Sequence, residues 1–468
     1  MTGIQMNRHL LPWLLGALLV SGCANRLEAP ANLPTPPERW RNASAISGER
    51  PTADWWRAFA SPALDRLQQQ ALANNQDLAA ALARLRQAEA SARLAGASLL
   101  PRLDGNLGAS REARLGGNPD TDGNSYSAGV AASYEVDLWG RLRASRDSAL
   151  FAVQASRFDR DALRVTLTAG VASAWLQSVG LGERQRIARL NLENAERVLA
   201  TVAARQGAGA STALELAQQR GVVALQRRFL ASIGQQREDS LATLAVLLGQ
   251  RVDELSGETP RLADLPMPGL SAGIPSALLL QRPDLARAEA SLAAADANVQ
   301  AARAALLPRL SLTAGVGGEA NRASRIFSNP LYSLAAALTA PIFDGGSLAA
   351  GRDLAMAERE ELLADYRATL VGAFAEVEVA LNGLSGTQAQ LQAQNEVLAQ
   401  AELAFRLAES RYRAGAETLL TLLDTQRSLY SAQDEAAQLR LLRLQASVDL
   451  ARALGGGWRA ETEGVQAP

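Results

Sequence analysis

The sequence is short of the side chains that most catalytic and metal sites require. It contains one histidine, His9, and one cysteine, Cys23. A lone cysteine has no partner for an internal disulfide, and His9 lies in a segment that is predicted below to be removed. The remaining chain then has no histidine, which argues against metal catalysis and histidine acid–base chemistry. No metal and no cofactor are expected.

Aromatic residues and lysine are also scarce. Aromatics make up 4% of the chain although hydrophobic residues reach 48%, with alanine and leucine supplying most of them. This profile is typical of long, closely packed helices. The 47 basic residues are all arginine, and they are spread along the chain and balanced by 48 acidic residues. The charge pattern therefore gives no basic patch for a nucleic acid.

Two long stretches contain no internal proline. They run from Pro119 to Pro260 and from Pro341 to Pro468. The first has room for a helix of about 65 residues, a turn and a second helix of similar or shorter length, and a rise of about 1.5 Å per residue makes the longer helix about 100 Å. Such a helix is far longer than those of ordinary globular proteins.

Glycines predict where each long helical stretch turns. Gly207 and Gly209 mark a first turn at about residues 205–215, and Gly415 marks a second at about residues 411–421. We call these turns the first and second tips. After the second tip, Leu420, Asp424 and Arg427 are spaced i, i+4 and i+7, so they share one helix face. That face is a candidate constriction. The alternative is a solvated face with an ordinary ion pair.

Four segments alternate apolar residues with small or polar ones, which predicts β-strands with one apolar face. They are Leu103 to Ser110, Tyr126 to Asp137, Leu310 to Gly317, and Tyr332 to Ile342. The apolar side of the fourth segment includes Ala340 and Ile342. A length of about ten residues suits a membrane-spanning strand tilted by about 40 degrees. A solvent-facing sheet on a soluble core is the alternative.

The chain repeats itself. Leu99-Leu100-Pro101-Arg102-Leu103 recurs as Leu306-Leu307-Pro308-Arg309-Leu310, and Gly209 and Thr212 match Gly415 and Thr418 at nearly the same offset. We therefore predict two tandem copies of one unit, at 61–260 and 276–455, joined by a linker at 261–275. Each copy has a helix, a hairpin (about 102–137 and 309–343) and a long helical pair. In the first copy one helix is expected from Ser61 to Pro101.

The chain ends are predicted from their composition. Residues 1–22 combine a basic start with an apolar run from Leu10 to Val20, which is typical of a signal peptide. The following Val20-Ser21-Gly22-Cys23 resembles a bacterial lipobox, which implies that Cys23 is acylated. Ala24 stands where an aspartate would resemble the inner-membrane retention signal, so the resemblance implies sorting to the outer membrane. A chance buried thiol is the alternative. Residues 23–60 are predicted to be a proline-rich lipidated tether, and residues 456–468 a C-terminal tail.

Geometry requires an oligomer if these strands span a membrane. Four strands cannot close a barrel, and open strand edges are not tolerated in lipid. Two chains would supply eight strands, whose interior is filled by side chains, whereas three chains would supply twelve and leave room for a channel.

Four motifs occur in an order that identifies a family. They are Trp55-Trp56-Arg57-Ala58-Phe59; Ile274-Pro275-Ser276 through Arg282-Pro283-Asp284 to Leu307-Pro308-Arg309; Pro341-Ile342-Phe343-Asp344-Gly345-Gly346; and Leu454-Gly455-Gly456-Gly457-Trp458. With these motifs the mature chain resembles the outer membrane factors of Gram-negative tripartite efflux and secretion systems. It is most similar to the TolC-like lipoproteins that serve resistance-nodulation-division pumps.

The resemblance implies a mainly α fold with a small membrane β part. Three chains would form a TolC-like homotrimer with a twelve-stranded β-barrel, four strands from each chain, continued by a long periplasmic α-helical barrel. The protein would be a passive exit duct for drugs or other small toxic compounds, lipid-anchored in the outer membrane. Its implied partners are a periplasmic adaptor and an inner-membrane resistance-nodulation-division transporter, with no nucleic acid.

The resemblance also assigns roles to the tips. Leu420, Asp424 and Arg427 match the periplasmic gate of the family, whereas the equivalent positions of the first repeat hold Leu214, Gln218 and Gly221. Both tips match the adaptor-docking sites, through Arg205, Gly209, Ser211, Thr212, Arg411, Gly415 and Thr418.

Three other functions are weighed against the efflux duct. One is a type I secretion exit duct, and another is a periplasmic coiled-coil scaffold. A third is a glycosidase using an acidic pair such as Glu358 and Glu361. Their helical spacing is more typical of a solvated face, and no nucleophile constellation or glycine-rich phosphate loop accompanies them. The protein is therefore not expected to be an enzyme.

Overall fold

The computed structural model describes residues 34–41, 50–113, 115–116, 123–255 and 260–459, which form a mainly helical protein with one small antiparallel sheet. Its α-helices are α1 Pro62–Asn74, α2 Gln76–Ala97, α3 Arg141–Gly207, α4 Ala213–Leu248, α5 Pro283–Ala304, α6 Ser347–Arg413 and α7 Leu419–Ala453. Its strands are β1 Arg102–Glu112, β2 Gly123–Val136, β3 Arg309–Ala320 and β4 Leu331–Thr339. Short 3₁₀ helices lie at Trp55–Phe59, Val252–Glu254, Leu262–Asp264, Pro275–Leu280 and Ala323–Ser328.

The sheet has the order β1-β2-β3-β4, so the hairpins of the two repeats pair with each other through β2 and β3. Its register places Leu107 beside Ala128, Val130 beside Val316, and Val316 beside Tyr332. Directly paired residues point to the same side of a sheet. The apolar positions of all four strands therefore share one face. The edge strands β1 and β4 are exposed along their whole length.

The fourth strand is shorter than predicted. It ends at Thr339, so Ala340 and Ile342 do not continue its apolar face. Pro341 stands between them and has no N–H to donate to a neighbouring strand. Ile342 is 97% exposed at this position.

Two 67-residue helices, α3 and α6, set the length of the molecule. At about 1.5 Å per residue each extends about 100 Å away from the sheet. Beside the sheet the helices contact one another in the order α2-α3-α5-α6, and towards the tips the order is α4-α3-α7-α6. The helices therefore form a wall one helix thick, with an edge helix on each side. On α6 the unpartnered side carries exposed Leu354, Val371, Val379, Val397 and Leu407.

The prediction of one helix from Ser61 to Pro101 was wrong. The helix is broken at Asn75, whose backbone is extended (φ −64°, ψ 127°), and α1 and α2 lie on either side. The Asn75 side chain accepts a hydrogen bond from Leu78 N and donates one to the carbonyl of Leu247. The Asn75 side chain thus caps α2 and bonds α4, and both contacts stabilise the break. Helical periodicity alone does not reveal such a break.

The middle of the chain is tied to its C-terminal part around Arg282. This buried side chain donates to Asp284, to Glu376 and to the carbonyl oxygen of Ala453, the last at 3.0 Å. Burial alone would raise the pKa of Asp284, but the hydrogen bonds and charge of Arg282 hold that pKa below its usual value. The segment just before α5 is thereby joined to the middle of α6 and to the end of α7.

The glycines that follow α7 close this region, which we call the clasp (residues 52–59, 275–285 and 453–458). Gly455, Gly456 and Gly457 all have positive φ. A Cβ at Gly455 would overlap the backbone of Gln281, and one at Gly457 would overlap the backbone of Thr52. Close backbone approach therefore requires glycine at these positions.

Across the part of the chain that the structure describes, no helix is both long and apolar enough to cross a membrane. The same ranges contain no group of three or more His, Cys, Asp or Glu side chains placed to hold a metal ion.

Candidate functional site at the helical tips

The first tip joins α3 to α4 through Gly209, which has φ +75°. Thr212 caps α4: its hydroxyl accepts from Glu215 N, and the Glu215 carboxylate accepts from Thr212 N at 2.7 Å. The Ser211 hydroxyl donates to the same carboxylate at 2.6 Å. The hydrogen bonds from Ser211 and Thr212 hold the pKa of Glu215 below its usual value. This capping box therefore fixes the start of α4.

The second tip has the same backbone but different polar contacts. Gly415 has φ +76°, and Thr418 caps α7 by accepting from Thr421 N. Glu417 accepts from Thr418 N at 3.1 Å, which is the main cause of its lowered pKa. Glu417 also lies 3.8 Å from Arg411. The two tips are therefore capped by different residues.

The tips contact each other through Arg205. Its guanidinium donates to the carbonyl oxygen of Tyr412 at 2.6 Å and lies 4.8 Å from the centre of the Tyr412 ring. Tyr412 is buried. Sequence analysis had given Arg205 only an adaptor-docking role. The sequence contains one indication of this contact. The first repeat has Gln206 at the position equivalent to Tyr412, so the second tip carries an aromatic ring that the first tip lacks.

Replacing Arg205 by alanine is expected to loosen the pairing of the tips. The variant loses a charged hydrogen bond and a cation–π contact, together worth about 1–3 kcal/mol at a half-buried site. Hydrogen–deuterium exchange should become faster at residues 205–216 and 411–418. Arg411→Ala is the matched control, since Arg411 has a long contact to a single carboxylate. Equal exchange in both variants would show that the Tyr412 contact does not hold the tips together.

The predicted constriction forms an exposed face just above the second tip. Leu420 is 69% exposed, and Arg427 Nη1 lies 3.8 Å from Asp424 Oδ1. Leu419, Leu422 and Leu429 lie on the other side of α7 and are buried among residues of α3 and α6. An ion pair this exposed contributes little to the stability of one chain. The three side chains are therefore available to face other chains.

The first repeat presents a similar helix face with different chemistry. Leu214 is 67% exposed, and Gln218 and Gly221 are also exposed. No acid and base occupy these positions. The other predicted site residue, Cys23, lies outside the described residues.

One charged contact near the tips was not predicted from the sequence. Arg184 on α3 makes hydrogen bonds of 2.7 and 3.0 Å to the two carboxylate oxygens of Asp434 on α7. One turn away, Gly180 packs directly under Leu441. The close approach of α3 and α7 at Gly180 sets the distance at which this bidentate pair forms. Pairs that are 250 residues apart leave no local pattern in the sequence.

These features define a class of protein: a tandem-repeat, channel-forming subunit whose apolar sheet face and long helical wall are completed by further copies of the chain. The family model described as "Outer membrane efflux protein" matches residues 67–250 and again residues 274–456. The chain belongs to this family.

Similar proteins extend along nearly the whole chain. It is 50% identical over 463 residues, covering 97% of this chain and 98% of the relative, to the pyoverdine export outer membrane protein OpmQ of Pseudomonas aeruginosa. The OpmQ protein of Pseudomonas putida is 52% identical over 437 residues, covering 91% of this chain and 93% of that protein.

Solved structures show the same fold. The outer-membrane channel OprN superposes with a TM-score of 0.86 at 30% identity, covering 92% of this chain and 99% of that one. The open state of the Neisseria gonorrhoeae MtrE outer membrane channel has a TM-score of 0.84 at 30% identity, with 92% and 98% covered.

The chain is accordingly an exit duct of an efflux system in the outer membrane, extending into the periplasm. Its fold is that of TolC-like channels, in which three chains form a twelve-stranded barrel and a helical barrel. Channels of this family are trimers that work with an adaptor and an inner-membrane pump. The family consists of transport proteins.

Proposed function

We propose that this duct exports a siderophore of the pyoverdine type. The observation that carries the proposal is the identity of 50% and 52% to two pyoverdine export proteins along nearly their whole length. Relatives named for efflux of antibiotics, toluene or cations are 31–32% identical over similar lengths. Export of drugs or other small toxic compounds is the second candidate, favoured by those names.

Deleting the gene in the bacterium that encodes it should separate these cargoes. We expect pyoverdine to fall in the medium and to accumulate inside the cell during iron limitation, because a passive duct is the last step of export. Fluorescence of the medium and of a periplasmic extract measures both pools. Complementation with the wild-type gene is the control. Unchanged secretion together with increased sensitivity to antibiotics or toluene would favour the second candidate.

The tips are proposed to dock the periplasmic adaptor. Exposed Gly209, Thr212, Arg411, Gly415 and Thr418 lie at the far end of the helices from the sheet, together with half-buried Arg205 and Ser211. The resemblance further implies that the pump is a resistance-nodulation-division transporter. Photo-crosslinking from position 416, between these residues, tests both points. Capture of an adaptor with an ATP-driven transporter would support the docking and contradict the assignment of the pump.

Leu420, Asp424 and Arg427 are proposed to form the gate of the trimer at the second tip. In three chains related by a threefold axis, three Leu420 side chains would form an apolar constriction that resists wetting. Three Asp424 carboxylates would repel one another unless Arg427 compensates their charge. An adaptor that binds the splayed tips more tightly would shift the population to the open state. The duct itself supplies no energy and performs no chemical step.

Cys23 is proposed to carry a lipid anchor after removal of residues 1–22. Only the sequence Val20-Ser21-Gly22-Cys23 supports this proposal. Metabolic labelling with a palmitate analogue should mark the wild-type protein and not Cys23→Ala. The variant is expected to keep some assembly because the barrel provides a second anchor, and labelling that persisted in it would remove the assignment.

A further inference from the structure

A groove of about 540 Å³ runs between α4 and α7 near the tips, and α3 forms its floor. We call it the tip groove. Its walls are apolar and partly aromatic, with Leu225 and Phe229 on α4 facing Leu420 and Leu423 on α7. A volume of this size is typical of a site for a small organic molecule. The groove adjoins the proposed gate face but extends away from it towards Asp434.

Two residues that line this groove each have a buried carboxamide oxygen with no hydrogen-bond donor among the described residues. These oxygens are Oδ1 of Asn191, whose residue is 2% exposed, and Oε1 of Gln426, whose residue is 1% exposed. The Gln426 amide nitrogen donates to Tyr430 Oη at 2.8 Å. Buried acceptors are nearly always paired in folded proteins. Two unpaired acceptors beside one groove therefore call for donors beyond those that the described residues supply.

The charges around the groove favour an anion. Arg228 and Arg427 line it, and Arg427 also lies 3.8 Å from Asp424, which is outside the lining. Asp434, the one carboxylate among the described residues of the lining, is already engaged by Arg184 and Gln438. The backbone of a helix bound in the groove would not donate hydrogen bonds to the Asn191 and Gln426 oxygens, since backbone N–H groups within a helix already bond to carbonyls of the same helix. Burial raises the pKa of Tyr430 to about 12, so its hydroxyl stays neutral and adds no negative charge.

We propose that the tip groove binds an aromatic anion carrying N–H or O–H donors. The donors would bond the Asn191 and Gln426 oxygens, the ring would lie between Phe229 and Leu423, and the anionic group would meet Arg228. Each chain of the trimer would hold one such site. The binding itself does not rest on the proposed gate or on the proposed cargo.

Titration of the full-length trimer in lipid nanodiscs with 8-anilino-1-naphthalenesulfonate tests this site. The probe has an aromatic body, one N–H donor and a sulfonate, and it fluoresces in apolar surroundings. We expect saturable binding of one probe per chain after subtraction of empty nanodiscs. At least one of Asn191→Leu and Gln426→Leu should weaken it about five- to tenfold, as expected for the loss of the one buried hydrogen bond that the single N–H of the probe can make.

Gln219→Leu is the matched control. Gln219 is also fully buried with an unpaired Oε1, and it lies on α4, but it does not line the groove. Its substitution should leave the affinity for the probe unchanged. All variants are first checked for SDS-resistant trimers, so that misfolding is not mistaken for lost binding.

The exposed rim gives a second measurement that does not disturb the core. Arg228→Gln should weaken binding of the sulfonate probe but not of N-phenyl-1-naphthylamine, which has a similar body and N–H donor and no charge. The proposal is overturned if binding does not saturate. It is also overturned if Gln219→Leu weakens binding as much as Asn191→Leu and Gln426→Leu, or if Arg228→Gln affects both probes equally.

Discussion

Replacing Asp424 and Arg427 together by alanine is expected to raise the conductance of the reconstituted trimer. In the proposed closed gate the charged side chains of neighbouring chains meet at the axis, and the variant loses three such contacts between chains, each worth up to about 1 kcal/mol. A net shift of about 1.4 kcal/mol already gives a tenfold change in the ratio of open to closed channels. We therefore expect about a tenfold rise in mean conductance, measured in planar bilayers. Asp424→Ala alone should give a smaller rise, whereas Arg427→Ala alone should raise the conductance at least as much, because three uncompensated Asp424 carboxylates then repel one another.

The repeat provides the control for this experiment. Gln218 is equivalent to Asp424 in the first repeat and is exposed on the same kind of helix face. Gln218→Ala should leave the conductance unchanged, because Gln218 is uncharged and its removal alters no charge near the axis. Unchanged conductance in both Asp424→Ala and Arg427→Ala would remove these residues from the gate. An equal rise in Gln218→Ala would show general loosening of the tips.

Replacing Gly455 by alanine is expected to prevent stable assembly. The residue has φ +84°, and a Cβ there would overlap the carbonyl oxygen of Gln281. Left-handed backbone strain and steric overlap together should cost about 2–6 kcal/mol. The clasp would open where Arg282, just before α5, bonds the carbonyl oxygen of Ala453. The yield of SDS-resistant trimer and the thermal unfolding followed by circular dichroism should both fall sharply.

Gly221→Ala is the corresponding neutral change. Gly221 lies within α4, and an added Cβ would meet no atom within 4 Å. Alanine is favoured over glycine inside a helix by up to about 1 kcal/mol, so this variant should be as stable as the wild type or slightly more stable. If the Gly455→Ala trimer unfolded at the same temperature as the Gly221→Ala trimer, the clasp would not be needed for stability.

Periodicity was sufficient to predict the main elements. The absence of proline after Pro119 predicted a helix of the length of α3, and Gly209 predicted its end, because both residue types restrict the backbone locally. The alternation around Val130 and Val316 predicted strands with an apolar face. These signals depend on neighbouring residues in the chain, which a sequence displays directly.

Features that depend on distant residues could not be predicted in this way. The break at Asn75 is stabilised by the carbonyl of Leu247, and the pair of Arg184 with Asp434 depends on how α3 crosses α7. In the candidate site, the exposed face of Leu420 followed from helical spacing, whereas the Arg205–Tyr412 contact and the tip groove did not. Each of these requires the packed positions of three helices.

Distances between spin labels test the central claim most directly. The claim is that Asp424, and not its repeat equivalent Gln218, lies nearest the threefold axis of the closed trimer. Because Cys23 is the one cysteine of the chain, Asp424→Cys and Gln218→Cys in a Cys23→Ser background each give one label per chain. Double electron–electron resonance should give a single, clearly shorter distance for position 424 than for position 218, and addition of the adaptor should lengthen it. A distance at 424 equal to or longer than that at 218 would contradict the account.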